Sequence, residues 1–365
     1  QEPLIKRSLC AMVPWSHAPQ PVGCPQNDIM SETEVSSLES VAPVASLVSE
    51  LPPELLRGVS LDMCLRSWGK HFGNKEMNWK ETYTLSKCAH SIDYFVSHDW
   101  QTGRWQKTLS LLLIFNSLPA AFAAVLVSFV TSGLLLLERL PGGWWTASLL
   151  TYGVYFCFLC FWQRMRRALC CSVPLVFVDR LCIAQGDPGL KNQGILGLAG
   201  FLNKSKRLLV LWSPNTFTRL WCTFELASFM RNTDRQKSIV FIPVPMASLL
   251  WIACGTNLLL AFALQAFFVF EERFTIASGP SGSPFFRGIV ALFMLPAILV
   301  GLPLQSYLGI RHMTEFLNLE DQLHNFSVRA LQCACCTLNH VDPQTGDPMM
   351  CDRELVFRTL KRWYT

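Results

Sequence analysis

The chain has 365 residues, of which 51% are hydrophobic and only 16% are charged, and its formal net charge is +5. Soluble domains usually carry about 25% charged residues, so this composition favours a membrane protein. The basic residues are scattered rather than clustered, which argues against nucleic acid as a partner. The 15 cysteines favour a reducing compartment, because most fall in segments that are predicted to lie in the cytosol or the bilayer.

Residues 1–85 are rich in Ser, Pro and Glu, and their apolar runs are short. A segment of this composition has little apolar surface to bury, so we expect a largely disordered or loosely attached region. Residues 92–100, with the sequence IDYFVSHDW, predict a short buried strand followed by a polar turn. Ordered structure is therefore expected to begin near residue 92.

Four stretches are apolar and about 20 residues long, the length that a membrane-spanning helix requires. They are residues 109–137, 144–162, 247–270 and 288–308. Buried core helices are the alternative, although such helices rarely remain uncharged for so long. The flanking basic residues predict an integral, multi-pass protein in the lipid bilayer, with both termini in the cytosol. Transport or ion conduction is a third possible function, but these stretches contain no Asp, Glu, Lys, Arg or His.

Apolar runs at residues 173–183, 206–212 and 238–244 predict buried strands. The segments between these strands, 190–205 and 216–230, have apolar residues at helical spacing. This alternation indicates a parallel sheet with helices on both faces. A ligand site is expected at the carboxyl ends of the strands, near residues 97–99, 179–180 and 212–213. The strand at 92–98 precedes the first predicted membrane hairpin, so the domain is expected to be split and to lie close to the bilayer.

Several of these segments resemble the TIR (Toll/interleukin-receptor/resistance-protein) domain. They are DYFVSHD at 93–99, VFVDRLCIAQGDPGL at 176–190, FLNKSKRLLVLWSPNTFTRLWCTFEL at 201–226 and IVFIPV at 239–244. The resemblance covers residues 92–100 and 173–244. It implies an α/β, flavodoxin-like parallel sheet, here split by a membrane hairpin and accompanied by about four transmembrane helices.

The resemblance also implies a site. Enzymatic TIR domains cleave NAD at the nicotinamide–ribose bond with a glutamate of a Trp-Cys-x-x-Glu motif, which corresponds to Glu225 here. A carboxylate beside the ribose can stabilise the positive charge that develops as this bond breaks. Trp221, one helical turn earlier, would form a wall of the pocket. The remaining candidate residues for the NAD pocket are Ser97, His98, Asp99, Trp100 and Arg104, with Arg104 facing a phosphate.

Many TIR domains keep this glutamate and act as non-catalytic adaptors. In such a domain Trp221 packs at the junction of helix and sheet, and Glu225 makes local contacts. We therefore favour a membrane-anchored signalling or protein-interaction protein, with a membrane-tethered NAD hydrolase that uses Glu225 as the alternative. The resemblance implies self-association, or binding to other TIR-like domains, in either case.

Residues 311–365 form a cysteine-rich tail in which two helices are predicted. The apolar spacing at 314–331 predicts an amphipathic helix that packs on the cytosolic domain, and residues 353–363 predict a basic amphipathic helix that docks on that domain or on the bilayer. The candidate zinc ligands between the two helices are Cys333, Cys335, Cys336, His340 and Cys351. The spacing of these five residues differs from that of a standard zinc finger, and buried free thiols or lipidation are the alternatives to zinc binding.

Overall fold

The structure is a computed structural model that describes residues 47, 50–73, 78–140, 144–170, 173–231, 238–278, 288, 294–295, 297–324, 330–341, 346, 348 and 350–364. Residues 1–46, which were predicted to be disordered, thus lie outside the described residues, as do residues 289–293 and 296 of the predicted span 288–308. The described part contains a six-stranded sheet, long helices that leave it, and a C-terminal segment that returns to it.

The sheet is mixed but mostly parallel. Its strand order is β2-β1-β4-β3-β5-β6, in which β4, β3, β5 and β6 are parallel and β1 runs antiparallel to both β4 and β2. The four parallel strands, numbered along the chain, lie in the order 2-1-3-4 that is typical of doubly wound sheets. The strands are β1 Arg57–Ser60, β2 Lys87–Cys88, β3 Ile92–His98, β4 Leu175–Phe177, β5 Ser205–Trp212 and β6 Ser238–Pro243.

The centre of the sheet is buried on both faces, which explains its nearly continuous apolar strands. In β5 every residue from Leu208 to Trp212 is buried. Phe95 of β3 stacks on Phe177 of β4 with ring centroids 4.5 Å apart, and Phe177 contacts Phe201 at 4.4 Å. Each fully buried phenylalanine contributes roughly 2–3 kcal/mol to folding. The α/β fold expected from the sequence is confirmed.

The helices cover the sheet and extend beyond it. Asp187 caps α3, where its carboxylate accepts a hydrogen bond from Leu190 N and Pro188 occupies the first turn. The principal helices are α1 Arg104–Leu136, α2 Trp144–Cys170, α3 Pro188–Leu196, α4 Leu198–Lys204, α5 Leu220–Arg231, α6 Val244–Ser278, α7 Leu302–His324 and α8 Asp352–Tyr364. Shorter helical turns span Leu61–Cys64, Arg66–Gly69, Lys70–Phe72, Trp79–Thr84, Asp179–Cys182, Thr216–Thr218, Ala297–Gly301 and Ala334–Thr337.

The N-terminal part of the domain is more ordered than the sequence predicted. The expectation of a largely disordered region up to residue 85 is wrong for residues 56–73 and 78–85, because β1 pairs with β4 and its Val59 is fully buried. Leu56 and Leu61 join the same core. The four residues of β1 are too few to reveal a strand by their pattern, and their partner lies more than 100 residues further along the chain.

Two predicted elements are each divided in the structure. The apolar run 173–183 forms β4 and then the short helix Asp179–Cys182, with Val178 between them. The single helix expected at 190–205 is α3 followed by α4, which meet at Gly197. A side chain at Gly197 would collide with Leu51, because an ideal Cβ there would lie 1.9 Å from Leu51 Cδ1. The N-terminal segment therefore packs directly against this junction.

Two helices of the described residues are long and apolar enough to cross a membrane. They are α1, with mean hydropathy 2.1, and Val244–Phe267 of α6, with mean hydropathy 1.9. Only 33% and 17% of their most apolar windows are buried, which differs from the core helices of soluble proteins that otherwise meet the same criterion. Length and composition thus indicate membrane association through two helices, rather than the four spans expected from the sequence. The predicted span 144–162 lies in α2, and residues 297–308 of the predicted span 288–308 form the turn Ala297–Gly301 and the start of α7.

Polar side chains join the first two long helices. Asn116 Nδ2 of α1 donates a hydrogen bond to Leu159 O of α2 at 2.8 Å, and Gln163 Nε2 donates to Asn116 Oδ1, also at 2.8 Å. Trp251 Nε1 of α6 donates to Leu109 O at 3.3 Å. The three helices therefore pack together beside the sheet.

The C-terminal segment packs on the α/β domain. Phe316 of α7 meets Trp212 at the end of β5, with ring centroids 5.8 Å apart. Trp363 of α8 stacks on Phe224 of α5 at 5.7 Å, and Arg231 lies 4.6 Å above the Trp363 ring. Both tail helices thus contact the domain. The sequence predicted this contact for α7, and for α8 it left docking on the domain or on the bilayer as alternatives.

Candidate functional site

The candidate site lies where the carboxyl ends of β3 and β5 meet. These neighbouring strands flank the point at which the order of the parallel strands reverses, and doubly wound sheets bind ligands at such points. Three of the predicted residues, Ser97, His98 and Asp99, come from the end of β3, and each is at least 93% buried. The structure therefore places them inside the domain rather than on an open loop.

Glu225 faces this edge from α5. The residue is partly exposed as a whole, but its Oε2 atom is buried and has no hydrogen-bond partner among the described residues. The pKa of Glu225 is raised to about 8, mainly by burial; the nearby Ser97 hydroxyl opposes the increase, and the charge of Asp179 adds to it. A large fraction of the Glu225 carboxyl is therefore protonated at neutral pH.

His98 is a neutral, enclosed imidazole. Its burial lowers the pKa below the usual value for histidine, although Asp179 and Asp99 oppose this effect. The ring packs against Phe72 with centroids 5.5 Å apart and against Trp100 at 5.0 Å. Phe72 belongs to the N-terminal segment, so residues 70–72 cover one side of the site.

Trp100 is fixed by charged neighbours from two other elements. Its Nε1 donates a hydrogen bond to Asp179 Oδ2 at 3.1 Å. The side chains of Lys107 and Arg180 lie 5.5 Å and 5.8 Å from the centre of its rings. Cation–π contacts of this kind hold both an indole ring and a cation in place. Trp100 therefore connects the loop after β3 to the loop after β4.

Lys107 is the residue that the sequence interpretation missed. It lies in the first turn of α1 and is fully buried, and its Nζ has no hydrogen-bond partner within the part of the chain that the structure describes. Its ammonium group interacts electrostatically with the carboxylates of Asp99 and Asp179. The sequence offered one signal, a lysine shortly before an apolar helix, but this pattern is equally typical of a cationic flank beside a membrane span.

Asp99 and Arg104 have local partners. Asp99 Oδ1 lies 3.7 Å from Arg219 Nε and accepts a hydrogen bond from Gln101 N at 3.1 Å. The guanidinium of Arg104 lies 5.0 Å above the ring of Trp105. Arg104 is only partly buried at the rim of the site, whereas Asp99 helps to shape the loop after β3.

Trp221 contacts the C-terminal segment. Its Nε1 donates a hydrogen bond to Asp352 Oδ2 at 3.1 Å, and its ring meets Phe224 edge-on at 5.8 Å. Trp221 and Glu225 lie one turn apart on α5, as predicted. The indole N–H of Trp221, however, already donates its hydrogen bond to Asp352, the first residue of α8.

Several buried polar atoms of this edge have no hydrogen-bond partner among the described residues. They include Ser97 Oγ, His98 Nε2, Lys107 Nζ, Trp212 Nε1 and Glu225 Oε2. Buried polar groups are nearly always paired with protein or water. Several such atoms at the switch point of a parallel sheet therefore indicate a place that takes up water or a small polar ligand.

The predicted cysteine and histidine ligands form a second cluster. One donor atom from each of Cys335, Cys336, His340 and Cys351 lies within 4.8 Å of the donor atoms of the other three. Cys333 lies beside them, with its Sγ 3.1 Å from Cys335 Sγ. The structure therefore brings together all five residues that the sequence singled out.

No known family model matches this chain, and no curated protein or solved structure matches it.

Proposed function

We propose that the protein is a membrane-anchored signalling protein that acts through its TIR-like α/β domain. Two long apolar helices are joined to the sheet by very short connections. Only residues 99–103 separate β3 from α1, and α6 begins at Val244 directly after β6 ends at Pro243. Such connections hold the domain at the bilayer surface, where association between copies is favoured by their high local concentration.

Four membrane passes with both termini in the cytosol fit this arrangement. Leu118, Phe122 and Phe129 of α1 are at least 72% exposed, which suits contact with lipid tails. Arg164, Arg166 and Arg167 near the end of α2 suit the cytosolic side of a second pass. In this arrangement α1 and α2 form one hairpin, and α6 forms a second hairpin with a pass that ends in α7.

The enclosed state of Glu225 is the observation that favours protein interaction over catalysis. A carboxyl with a pKa of about 8 is poorly ionised at neutral pH, and Trp221 is already bound to Asp352. A signalling domain requires a surface for its partner and does not require an ionised carboxylate in an open cleft.

Energy transfer between labelled copies tests the signalling proposal. Full-length chains that carry donor or acceptor dyes are reconstituted in vesicles at increasing density, beside an unrelated four-span protein as the control. We expect energy transfer above the control at equal density, and suppression by excess unlabelled chain. Transfer equal to the control at every density would contradict self-association.

A second candidate function is NAD hydrolysis, favoured by the unpartnered Glu225 Oε2 and Ser97 Oγ at the switch point. In this reaction the bond between C1′ of the ribose and the nicotinamide nitrogen breaks, nicotinamide leaves with the bonding electrons, and water adds to C1′ with loss of a proton. An ionised Glu225 would stabilise the positive charge on the ribose. A cationic nicotinamide ring in the site would itself favour ionisation, because an opposite charge lowers a carboxyl pKa.

Release of nicotinamide distinguishes the two functions. Unchanged full-length protein, Glu225→Gln and Glu225→Ala are incubated with NAD on crowded vesicles, with Glu54→Gln, a change at an exposed carboxylate, as the matched control. The signalling proposal predicts no release above background from any of them. Release that is lost only in the two Glu225 variants would establish the hydrolase, and equal release from all four would exclude Glu225 as the catalytic residue.

A further inference from the structure

We propose that Cys335, Cys336, His340 and Cys351 bind one structural Zn²⁺ ion. The short helix Ala334–Thr337 carries the first two cysteines, the turn after it carries the histidine, and the fourth ligand directly precedes α8. Three thiolates and an imidazole are a common ligand set of structural zinc. The site is independent of whether the α/β domain signals or cleaves NAD.

The three distances from Cys336 Sγ to the other donor atoms match the edges of a tetrahedral zinc site, and the remaining distances are within 4.8 Å. Zinc–sulfur bonds of about 2.3 Å and zinc–nitrogen bonds of about 2.05 Å at tetrahedral angles require S···S distances of about 3.8 Å and S···N distances of about 3.6 Å. The Sγ atom of Cys336 lies 3.9 Å from Cys335 Sγ, 4.0 Å from Cys351 Sγ and 3.6 Å from His340 Nε2. At these three distances, one zinc ion fits between the donor atoms.

The backbone adopts an uncommon conformation to bring the histidine back to the cysteines. Asn339 and His340 have φ angles of 51° and 59°, in the left-handed region that non-glycine residues seldom occupy. His340 N donates a hydrogen bond to Cys335 O at 2.9 Å, which closes the turn. Two consecutive residues in this region cost free energy, and a metal bond to the imidazole offsets that cost.

The surroundings of the cluster suit thiolate ligands. Asp352 N donates a hydrogen bond to Cys335 Sγ at 3.3 Å, and backbone donors of this kind stabilise and orient a coordinating sulfur. The sulfur–sulfur distances of 3.9 Å and 4.0 Å are far longer than a disulfide bond of about 2.05 Å. Thiolates and imidazole together favour zinc over calcium or magnesium. On binding, each coordinating thiol releases its proton to solvent.

Cys333 is the neighbouring thiol that the proposal leaves outside the site. Its Sγ approaches Cys335 Sγ, and together with Asp352 these residues form a second group of three possible donors. A tetrahedral structural site has four protein ligands, and the other group supplies four with room for the ion. Replacement of Cys333 therefore separates the proposed ligand set from one built on that residue.

A zinc ion at this place would fix the C-terminal helix to α5. Cys351 directly precedes α8, and Asp352, the first residue of α8, accepts the hydrogen bond from Trp221. Loss of the metal would free the start of α8, while Trp363 at its other end still stacks on Phe224. The expected role of the metal is thus to hold the returning chain against the helix that carries Glu225.

Metal analysis of the full-length protein in detergent tests the proposal. We expect about one zinc ion per chain after dialysis, and Co²⁺ exchanged into the site should give the visible absorption of a tetrahedral thiolate complex. Cys336→Ser and Cys351→Ser should lose most of the bound zinc. Cys333→Ser and Cys88→Ser, the latter a change at an exposed cysteine outside the cluster, should retain it. Chelation should raise hydrogen exchange in residues 352–364.

The outcomes are distinct. Zinc loss in Cys333→Ser equal to that in Cys336→Ser would overturn the proposed ligand set. Reduced, unchanged protein that takes up neither Zn²⁺ nor Co²⁺ would overturn the site itself, as would a disulfide among the four ligands that persists in protein from reducing cells. The cobalt titration uses unchanged protein, so the proposal is tested even if a ligand variant fails to fold.

Discussion

The ionisation of Glu225 affects the stability of the folded chain. The pKa of its carboxyl is raised from 4.5 to about 8 in the folded protein, so the unfolded chain loses this proton first as the pH rises. The contribution of this group to the free energy of unfolding therefore falls between about pH 4.5 and about pH 8 and is constant above that range. A neutral isostere at this position removes the dependence.

Glu225→Gln should be more stable than the unchanged protein at about pH 9, by roughly 2 kcal/mol, and nearly equal to it at about pH 4. Thermal unfolding in nanodiscs at both pH values measures the difference. Glu54→Gln, at an exposed carboxylate, should show no such pH-dependent gain. If Glu225→Gln has the same melting temperature as the unchanged protein at the higher pH, ionisation of Glu225 does not lower the stability of the fold. The carboxyl would then not be buried.

A single residue shows how far the sequence could describe the candidate site. The motif placed Trp221 and Glu225 on one face of a helix, and the spacing alone was sufficient for that. The partner of Trp221 is Asp352, which lies 131 residues away, and no local pattern carries this information. Lys107 was missed for a similar reason, because its burial depends on how α1 packs against the loop after β3.

At the scale of elements, the docking of α8 on α5 depends partly on one hydrogen bond. Trp221→Phe removes the donor to Asp352 but keeps an aromatic ring, so we expect a loss of about 1 kcal/mol in docking free energy. Hydrogen exchange in residues 352–364 should rise, with exchange in β3 and β5 unchanged. Trp68→Phe, at a tryptophan that is 41% exposed, is the matched control. Unchanged exchange in α8 would show that the stacking of Trp363 alone holds this helix.

The hairpin of α1 and α2 depends on a buried pair of amides. Asn116→Leu removes the hydrogen bond to Leu159 O and leaves Gln163 Nε2 only its longer bond to Phe115 O at 3.4 Å, so we expect a loss of about 1 kcal/mol. Asn116→Leu combined with Gln163→Leu should cost less than the sum of the single changes, because no unpaired amide then remains. Thermal unfolding in nanodiscs measures the coupling.

The control for the hairpin is Asn257→Leu, at an exposed asparagine of α6. It should leave the melting temperature unchanged or raise it slightly. Strict additivity of the two hairpin changes would mean that the amides do not interact, contrary to the distances in the structure.

Elements with a strong local pattern were the most predictable. The parallel strands β3, β5 and β6 and the helix α5 are apolar enough to be recognised alone, and the alternation of strands and helices indicated the sheet. The short strands β1 and β2 have only four and two residues; β1 pairs with both β2 and β4, and β2 pairs with β1. Pairing between distant segments has no signature in a single sequence.

At the scale of the whole molecule, strand pairing constrains the membrane topology. The strand β3 precedes the α1–α2 hairpin and β4 follows it, yet the two strands pair in parallel. Both must lie on the same side of a membrane, so the chain between them crosses an even number of times. If α1 crosses, α2 must return. The same argument applies after α6, because α8 packs on α5.

Glycosylation mapping tests the four-pass topology that we propose. A Gly/Ser-rich insert that contains Asn-Ser-Thr is placed after Arg139, between α1 and α2, or after Gly282 in the second predicted outer loop. Because translocated acceptors are glycosylated in the endoplasmic reticulum, both inserts should be modified in microsomes. The same insert after Thr365 should remain unmodified and serves as the control. Modification after Gly282 but not after Arg139 would mean that α1 and α2 lie on the membrane surface as a hairpin, with the sheet still intact on the cytosolic side.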